Sequence, residues 1–469
     1  MVTDARSPES PAPPNIVLVL VDDLGWADLD CYGSSFYETP VLDRLATQGV
    51  RFTDAYAAAP VCSPTRASLL SGKYPARVGV TQYIGGHAVG KLQDVPYFAC
   101  LPTSEYSLPR ALRDGGYQTW NVGKWHLGST PHTLPEAHGF DINIGGTGKG
   151  QPPQGYFSPY GLHTLPDGPD GEYLTDRLTD EAIGLIEGAG DRPYFLHLAH
   201  YAVHTPIQAP AELVAKYQAK AARLGLDRCE TFADGEQHPA WHKQPERVRR
   251  RLLQSDPTYA AMVENLDTNI GRLLAAVEGT NTIVIFTSDN GGLATAEGSP
   301  TCNAPLAEGK GWTYDGGLRV PLLVHWPEVV TPGVTTEPTT TPDLYPTLLE
   351  AAGLPAHPEQ HTDGVSILPL LRGEPFERGP IHWHYPHYAN QGGTPSAAVR
   401  EGPWKLVEFF EDDRVELYNL DSDISERHDL AHLPEHAALR DRLRTQVHHM
   451  REDMGALVPA PNPRARVDA

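Results

Sequence analysis

Largely apolar runs lie at residues 15–21 and 282–288, and residues 117–122 and 193–199 also have the pattern of strands. Runs rich in β-branched residues and leucine are typical of strands buried on both faces of a parallel sheet. Between the runs, periodicity and Pro and Gly boundaries predict helices at residues 39–49, 65–71, 106–115, 174–187, 259–277 and 341–352. This alternation predicts an α/β fold with a large mixed, mainly parallel sheet flanked by helices.

The pattern changes after residue 375, where the apolar segments become shorter. They predict strands at residues 397–400, 404–410 and 415–419, followed by a helix at residues 434–450. Because short turns join these strands, we expect a smaller antiparallel sheet covered by the helix. The chain therefore divides into a main α/β domain at residues 15–375 and a C-terminal subdomain at residues 376–469.

Two polar stretches give weaker indications. Residues 211–251 are charged and irregular, and the arginines at positions 247 and 249–251 predict a solvated helix face. Four polar residues precede the C-terminal strands and either rim a pocket or lie on a surface loop: His382, His384, His387 and Asn390.

Polar side chains directly follow the two clearest apolar runs: Asp22 and Asp23 after the first, Asp289 and Asn290 after the second. Adjacent side chains on a strand point to opposite faces, so each pair can share a site only where its strand ends. Ligands of open α/β sheets bind at these carboxyl ends, and an all-oxygen set suits a hard cation such as Ca²⁺ or Mg²⁺ rather than zinc. One Asp-Asp pair could equally cap a helix, but two pairs predict a metal site.

Net charge, cysteine spacing and the length of the apolar runs indicate which partners and which cellular compartment to expect. The 469 residues carry a formal net charge of −22, which argues against nucleic acid. The five cysteines are spread along the chain without close pairing, so we expect no disulfide framework and a reducing compartment. Residues 1–14 are polar and proline-rich, and no run reaches the length of a membrane span. We therefore expect a cytoplasmic protein without a signal peptide and without a membrane partner.

The most specific stretch is residues 60–75, in which Cys62 precedes a Ser-Pro pair and Arg66 opens a helical pattern. A helix N-terminus favours anions, although an isolated cysteine usually behaves as a small buried hydrophobe. The spacing resembles the signature of type I sulfatases, the arylsulfatase-like branch of the alkaline phosphatase superfamily, which reads Cys-x-Pro-x-Arg followed by Leu-x-Gly-Lys. The matching residues are Cys62, Pro64, Arg66, Leu70, Gly72 and Lys73.

Three further segments are similar to the same family. Gly-Lys-Trp-His-Leu-Gly contains Lys124 and His126, a His-Thr-Pro segment contains His204, and Lys310 precedes a Tyr-Asp-Gly-Gly segment. The family pattern places each of these residues at the active site. The resemblance extends from residue 15 to about residue 430 and keeps the family's order.

The resemblance implies a mechanism. In type I sulfatases a formylglycine-generating enzyme oxidises the signature cysteine to an aldehyde, formylglycine; one hydroxyl of its hydrate attacks the sulfate ester and the other later expels sulfate. By this mapping the roles are nucleophile (Cys62), support of the hydrate (Arg66), sulfate binding (Lys124 and Lys310), base (His126) and leaving-group acid (His204). The metal ligands would be Asp22, Asp23, Asp289 and Asn290, holding Ca²⁺ or Mg²⁺.

We therefore predict hydrolysis of sulfate monoesters, aryl or sugar, to inorganic sulfate and an alcohol. The acidic net charge favours a small ester over long polysulfated chains. One alternative is a phosphonate monoester or phosphodiester hydrolase of the same superfamily, in which histidine commonly stands where this chain has Asn290. The other is a catalytically silent binding protein, against which the costly clustering of charged residues argues. The sequence predicts no oligomeric state.

Overall fold

The computed structural model describes residues 12–465. Residues 1–11 of the predicted polar N-terminus and residues 466–469 of the predicted C-terminal subdomain lie outside the described residues. In chain order the strands are β1 (Asn15–Val21), β2 (Val50–Phe52), β3 (Ala55–Tyr56), β4 (Gln118–Gly123), β5 (Ile142–Ile144), β6 (Tyr194–Ala199), β7 (Phe232–Gln237), β8 (Arg247–Arg251), β9 (Thr282–Ser288), β10 (Leu322–His325), β11 (Gly333–Thr335), β12 (Thr339–Thr340), β13 (Ile381–Tyr385), β14 (Ser396–Glu401), β15 (Trp404–Phe409) and β16 (Val415–Asn419).

In chain order the α-helices are α1 (Pro40–Gln48), α2 (Cys62–Ser71), α3 (Pro75–Val78), α4 (Leu108–Asp114), α5 (Leu174–Glu187), α6 (Ala211–Leu224), α7 (Pro257–Ala276), α8 (Asp315–Leu318), α9 (Leu344–Ala351), α10 (Leu368–Leu371) and α11 (Ala437–Asp453). The seven predicted helices begin and end close to the predicted positions, whereas α3, α6, α8 and α10 are not predicted by the sequence. Helix α2 begins at Cys62, three residues before the predicted start. Among the described residues we find no helix with both the length and the apolar character needed to cross a membrane.

The main sheet has the strand order β11-β2-β10-β9-β1-β6-β4-β5. Strands β9, β1, β6, β4 and β5 are parallel neighbours, whereas β10 runs antiparallel to both β9 and β2. This arrangement confirms the predicted mixed, mainly parallel sheet.

Helices cover both faces of the main sheet. Alternate residues of β1 belong to two separate apolar clusters: one contains residues of α1, α5 and α7, and the other contains residues of α2, α4 and α9. Because both faces of β1 are buried, its residues can be apolar without interruption, as the sequence shows.

Strands β13, β14, β15 and β16 form the predicted smaller sheet, and all neighbouring pairs are antiparallel. Leu443 and Val447 of α11 pack against Val399 and Leu406 of this sheet in one apolar cluster. The sheet and its covering helix confirm the fold class, and the domain boundary after residue 375 stays a prediction.

The prediction for the arginine-rich segment is wrong. Arg247–Arg251 is strand β8, which pairs antiparallel with β7, and residues 211–224 of the segment predicted as irregular form helix α6. Arg250 forms ion pairs with Glu236 and Glu308. Pairing with β7 and the ion pairs of Arg250 stabilise this strand, and the periodicity of the sequence reveals neither.

The alternative that placed the histidine-rich segment on a surface loop is also wrong. His382 and His384 lie on β13 and are buried, and burial lowers the pKa of both to about 4. His387 is buried as well, with Nδ1 2.8 Å from Asp94 Oδ1 and Nε2 2.9 Å from Thr81 Oγ1. These contacts join residues about 300 positions apart in the chain.

Candidate active site

The predicted site residues gather at the carboxyl edge of four neighbouring parallel strands. β9 leads to Asp289 and Asn290, β1 to Asp22 and Asp23, β6 to the segment with His204, and β4 to the segment with Lys124 and His126. The backbone N–H of Lys124 donates to Ala199 O at 2.7 Å, so the ends of β4 and β6 stay level. This is the edge at which open α/β sheets bind ligands.

The two acidic pairs are in direct contact. Val21 and Ser288 are register partners, so β1 and β9 end side by side. Asp23 adopts a left-handed φ of 63°, and its backbone N–H donates to Asp289 Oδ1 at 3.2 Å. Asn290 Nδ2 donates to Asp23 Oδ1 at 2.8 Å. The structure therefore brings all four predicted metal ligands together.

Cys62 is the first residue of α2 and is buried. Its Sγ, a carboxylate oxygen of Asp22 and one of Asp289 all lie within 4.8 Å of one another. Burial raises the pKa of the thiol, although Lys124 and Lys310 oppose that effect. Cys62 is therefore a neutral thiol at pH 7, which disfavours a direct role as thiolate nucleophile.

Arg66 follows Cys62 by one helical turn and is buried too. Its guanidinium holds Asp289 Oδ2 through two nitrogens, Nε and Nη2, each at 2.8 Å. Nη1 donates to the backbone oxygen of Lys124 at 3.2 Å. Arg66 thus ties α2 to the ends of β9 and β4.

Two buried lysines contact the aspartates of β1. Lys124 Nζ lies 2.6 Å from Asp22 Oδ2, and Lys310 Nζ lies 2.7 Å from Asp23 Oδ2. Burial raises the pKa of Asp22 well above its usual range even beside Lys124. Burial acts in the same direction on Asp23, but Lys310, His204 and Lys124 together hold its pKa below its usual range. The two neighbouring carboxylates differ because Asp23 faces more nearby positive charge than Asp22.

The two predicted catalytic histidines are neutral. His126 has a left-handed φ of 57°, and its Nε2 donates to Ile84 O at 3.2 Å. Its buried Nδ1 has no hydrogen-bond partner within the part of the chain that the structure describes. Burial, then Lys124 and Arg66, lower the pKa of His126 well below its usual value. His204 Nδ1 lies 2.9 Å from Thr205 O, and its Nε2 lies 3.5 Å from Asp23 Oδ2. Burial, reinforced by Lys310, lowers the pKa of His204 to about 3.

The donor set fits a divalent cation. Asp22 Oδ1 and Asn290 Oδ1 are buried acceptor oxygens without a hydrogen-bond partner among the described residues. Asn290 donates from Nδ2 to both Asp23 Oδ1 and Gly291 O, so its amide orientation is fixed and Oδ1 is left free. Buried oxygens without a partner are costly unless a ligand satisfies them. Carboxylate and amide oxygens suit Ca²⁺ or Mg²⁺.

Sequence reasoning missed part of the site's rim. Asn390 Nδ2 donates to the hydroxyl of Tyr83 at 2.7 Å, and Ile84, the residue after Tyr83, contacts both Ser63 and His126. Tyr83 lies in a loop with no recognisable spacing. Its only signal was its position between the Cys62 motif and the Lys124 motif.

Comparison with known proteins agrees with this geometry. The family model described as Sulfatase matches residues 14–354, and the model described as N-sulphoglucosamine sulphohydrolase, C-terminal, matches residues 309–453. A sulfatase of Formosa agariphila is 33% identical, with 88% of this chain and 83% of that protein covered.

The N-acetylgalactosamine-6-sulfatase of Homo sapiens is 34% identical, with 80% of this chain and 69% of that protein covered. Among solved structures, that of Ps i-CgsB in complex with k-i-k-neocarrahexaose superposes with a TM-score of 0.73 at 31% identity. That superposition covers 93% of this chain and 92% of Ps i-CgsB.

Proposed function

The chain belongs to the sulfatase family and is a sulfuric ester hydrolase, and we propose that it releases sulfate from a saccharide ester with a formylglycine nucleophile derived from Cys62. We further propose that a divalent cation, Ca²⁺ or Mg²⁺, is held by Asp22, Asp23, Asp289 and Asn290.

One observation carries this proposal. The Cys62 thiol lies among two lysines, an arginine and two aspartates that are all buried, in a chain with a net charge of −22. Asp23 is buried in the same cluster, so the three cationic and three acidic side chains formally cancel, and a bound divalent cation would make the pocket cationic. Such a pocket is suited to an anion, because buried charges interact strongly with a bound ligand. A neutral thiol offers no strong nucleophile there, whereas a hydrated aldehyde at the same position would supply two hydroxyl groups.

The remaining side chains have defined tasks in this proposal. Lys124 and Lys310 bind sulfate oxygens, since their ammonium groups sit on the two aspartates that flank the pocket. Arg66 holds Asp289 in place through its paired contacts. When bound, the cation would polarise the attacking hydroxyl and the sulfate oxygens.

Two histidines move protons in this proposal. His126 donates from Nε2 to a backbone oxygen, which leaves Nδ1 able to accept a proton. His204 Nδ1 donates to Thr205 O, so Nε2 of the neutral ring carries no proton. To act as the acid, His204 would first take up a proton from solvent at Nε2, where Asp23 Oδ2 at 3.5 Å would stabilise the charge, and would then pass it to the departing alcohol oxygen.

The relatives support a saccharide substrate. One is named for the 6-sulfate of N-acetylgalactosamine, and Ps i-CgsB binds a neocarrahexaose. The net charge of this chain disfavours long polyanionic chains at low salt, so we propose a short saccharide.

Replacing the nucleophile tests the proposal. Cys62→Ala should reduce sulfate release from N-acetylgalactosamine 6-sulfate and from 4-nitrophenyl sulfate to background while circular dichroism stays unchanged. The control is Cys229→Ala, because Cys229 is an exposed free cysteine. Full sulfate release by Cys62→Ala would contradict the proposal, and a strong preference for the matching phosphate ester would favour phosphoester hydrolysis instead.

A further inference from the structure

A turn with unusual backbone geometry lies beyond the metal ligands of β9. Glu297, Gly298 and Ser299 all have left-handed φ values, of 53°, 90° and 42°. Residues other than glycine adopt this conformation only where the surrounding structure enforces it, and such residues cluster at functional sites. The turn therefore holds the Glu297 backbone in a set position.

Strand β8 holds this turn in place. Ser299 Oγ donates to Arg249 O at 3.1 Å, and Arg251 Nε donates to Ser299 O. Arg249 and Arg251 also stack on Phe232 of the paired strand. The arginine-rich strand, for which the sequence suggested no task, thus supports the turn that carries Glu297.

Glu297 is linked to the sulfate-binding side of the active site through Gln391. Gln391 Nε2 donates to Glu297 Oε1 at 3.4 Å, and Gln391 packs so closely on Gly311 that an added Cβ there would lie 2.8 Å from its Oε1. Gly311 follows Lys310 in sequence, and its N–H donates to Pro60 O at 2.8 Å, two residues before Cys62.

The Glu297 carboxylate is exposed and acts on Tyr83. Burial raises the pKa of Tyr83, and the negative charge of Glu297 raises it further. A substrate group that reaches Tyr83 would therefore also meet the field of this carboxylate.

The continuous rim formed by Tyr83, Asn390, Gln391 and Glu297 is here called the Glu297 rim. Asn390 joins Tyr83 to Gln391, and it is itself fixed from the other side, since Lys243 Nζ donates to its backbone oxygen at 3.0 Å. The rim thus carries a half-buried phenol and amide, Tyr83 and Asn390, and the exposed carboxylate of Glu297, and the buried Gln391 connects them to Gly311.

We propose that Glu297 is a specificity-determining residue that rejects substrates carrying a second anionic group beside the reacting sulfate. The accepted class is a saccharide with a single sulfate, whose neighbouring positions carry hydroxyl or amide groups that the Glu297 rim can bind. This inference rests on the proposed saccharide sulfatase function. A second sulfate near the rim would meet a fixed like charge, and such repulsion costs binding and transition-state stabilisation alike.

The test compares two sugars that differ by one sulfate. Sulfate release from N-acetylgalactosamine 6-sulfate and from its 4,6-disulfate is measured at low ionic strength for the wild type, Glu297→Gln and Glu337→Gln. Glu337 is an exposed glutamate that follows β11, the edge strand of the main sheet. Its substitution by glutamine removes the same formal charge as Glu297→Gln. We expect Glu297→Gln to raise the ratio of kcat/KM for the disulfate over the monosulfate by roughly tenfold, and Glu337→Gln to leave it unchanged.

Raising the salt concentration should shrink the difference between Glu297→Gln and the wild type, because exposed charges are screened. An unchanged ratio in Glu297→Gln would overturn the inference. An equal fall in kcat/KM for both sugars would also overturn it, because it would indicate that the turn has a purely structural role. Turnover of neither sugar by a wild type that cleaves 4-nitrophenyl sulfate would overturn it as well. Absence of sulfate release from every ester would instead contradict the proposed function.

Discussion

Two buried charge clusters lie at opposite ends of one short segment of the chain. One is the active site, which includes Lys310; the other is the Asp315 cluster, formed by Asp315, Arg319, Lys405 and Glu426. Both are buried, and both join parts of the chain that are distant in sequence. They differ in how completely their polar atoms are paired.

The Asp315 cluster is satisfied internally. Lys405 Nζ lies 2.7 Å from both Asp315 Oδ1 and Glu426 Oε1, and Arg319 Nε donates to Asp315 Oδ2 at 2.9 Å. The backbone N–H of Asp315 donates to Glu426 Oε2 at 2.6 Å. Among the described residues, no buried polar side-chain atom of this cluster lacks a partner. Such a cluster fastens the small sheet to the main domain.

The candidate active site, in contrast, contains buried acceptor oxygens that are not hydrogen-bonded to any described residue. Among the described residues, Asp22 Oδ1 and Asn290 Oδ1 have no hydrogen-bond partner, although the residues around them are as deeply buried as Asp315. Asp22 Oδ1 has only the long contact to Arg66 Nη2, at 3.8 Å. Folding does not retain such atoms for stability, because each costs free energy. Unpaired buried oxygens, rather than buried charge as such, therefore distinguish a binding site from a structural ion-pair cluster.

Replacing one lysine in each cluster should have the largest effects, on activity in one cluster and on stability in the other. Lys310→Met should lower kcat/KM for sulfate esters by roughly 100- to 1000-fold, because a preorganised cation that faces the substrate is lost. Its free energy of unfolding should change less with the cation present, since the cation also neutralises Asp23. Activity assays and urea unfolding on the same preparation give both values.

Lys405→Met is the matched variant. It should lower the free energy of unfolding by about 3–5 kcal/mol, because two buried carboxylates lose their common partner. The folded fraction should retain its kcat/KM. A Lys405→Met protein with normal stability, or a Lys310→Met protein with normal activity, would contradict the division between the two clusters.

Removing divalent cations should affect the candidate active site and leave the Asp315 cluster unaffected. Chelation should abolish activity and lower the free energy of unfolding, by about 3 kcal/mol when the cation was present at 100 times its dissociation constant. Thermal unfolding with and without added Ca²⁺ measures this. Asn290→Ala should lose most of the response, whereas Lys405→Met should keep it. Equal melting temperatures with and without cation in the wild type would contradict the metal site.

The smallest expected effect concerns pH. Burial raises the pKa of Glu426 to about 7, although Lys405 opposes the shift. The folded protein therefore binds this proton more tightly than the unfolded chain, so the associated stability is present at acidic pH and is lost as the pH rises through 7. Between pH 5 and 8, the unfolding free energy of Glu426→Gln should therefore decrease by about 2 kcal/mol less than that of the wild type.

Urea unfolding across this pH window checks the effect. Glu435→Gln serves as control because Glu435 is an exposed glutamate of the same subdomain. Identical pH profiles of the wild type and Glu426→Gln would show that Glu426 does not hold a proton in the folded state.

The sequence predicts much of the main sheet because its signals are local. β1 and β9 are recognisable from their apolar runs, and six of the seven residues of β1 and all seven of β9 are buried. The polar residues that share the site are those that follow where these strands end. The Cys62 motif likewise lies within one helix and its flanks. Each of these features depends on neighbours in the chain.

Features that depend on distant partners could not be predicted in this way. β8 pairs with β7 and is joined to Glu308 through Arg250, and the buried His387 contacts Asp94 and Thr81. The Glu297 rim is drawn from three separate loops, none of which carries a periodic pattern. Only the fold brings these residues together.

The central claim is that formylglycine derived from Cys62 is the nucleophile. The most direct measurement is the mass of the peptide that spans Cys62, taken from a preparation whose sulfate release has been measured. We predict loss of one sulfur and two hydrogens with gain of one oxygen, or the corresponding hydrate, in proportion to the active fraction. A fully active preparation in which Cys62 is an unmodified thiol would contradict the claim.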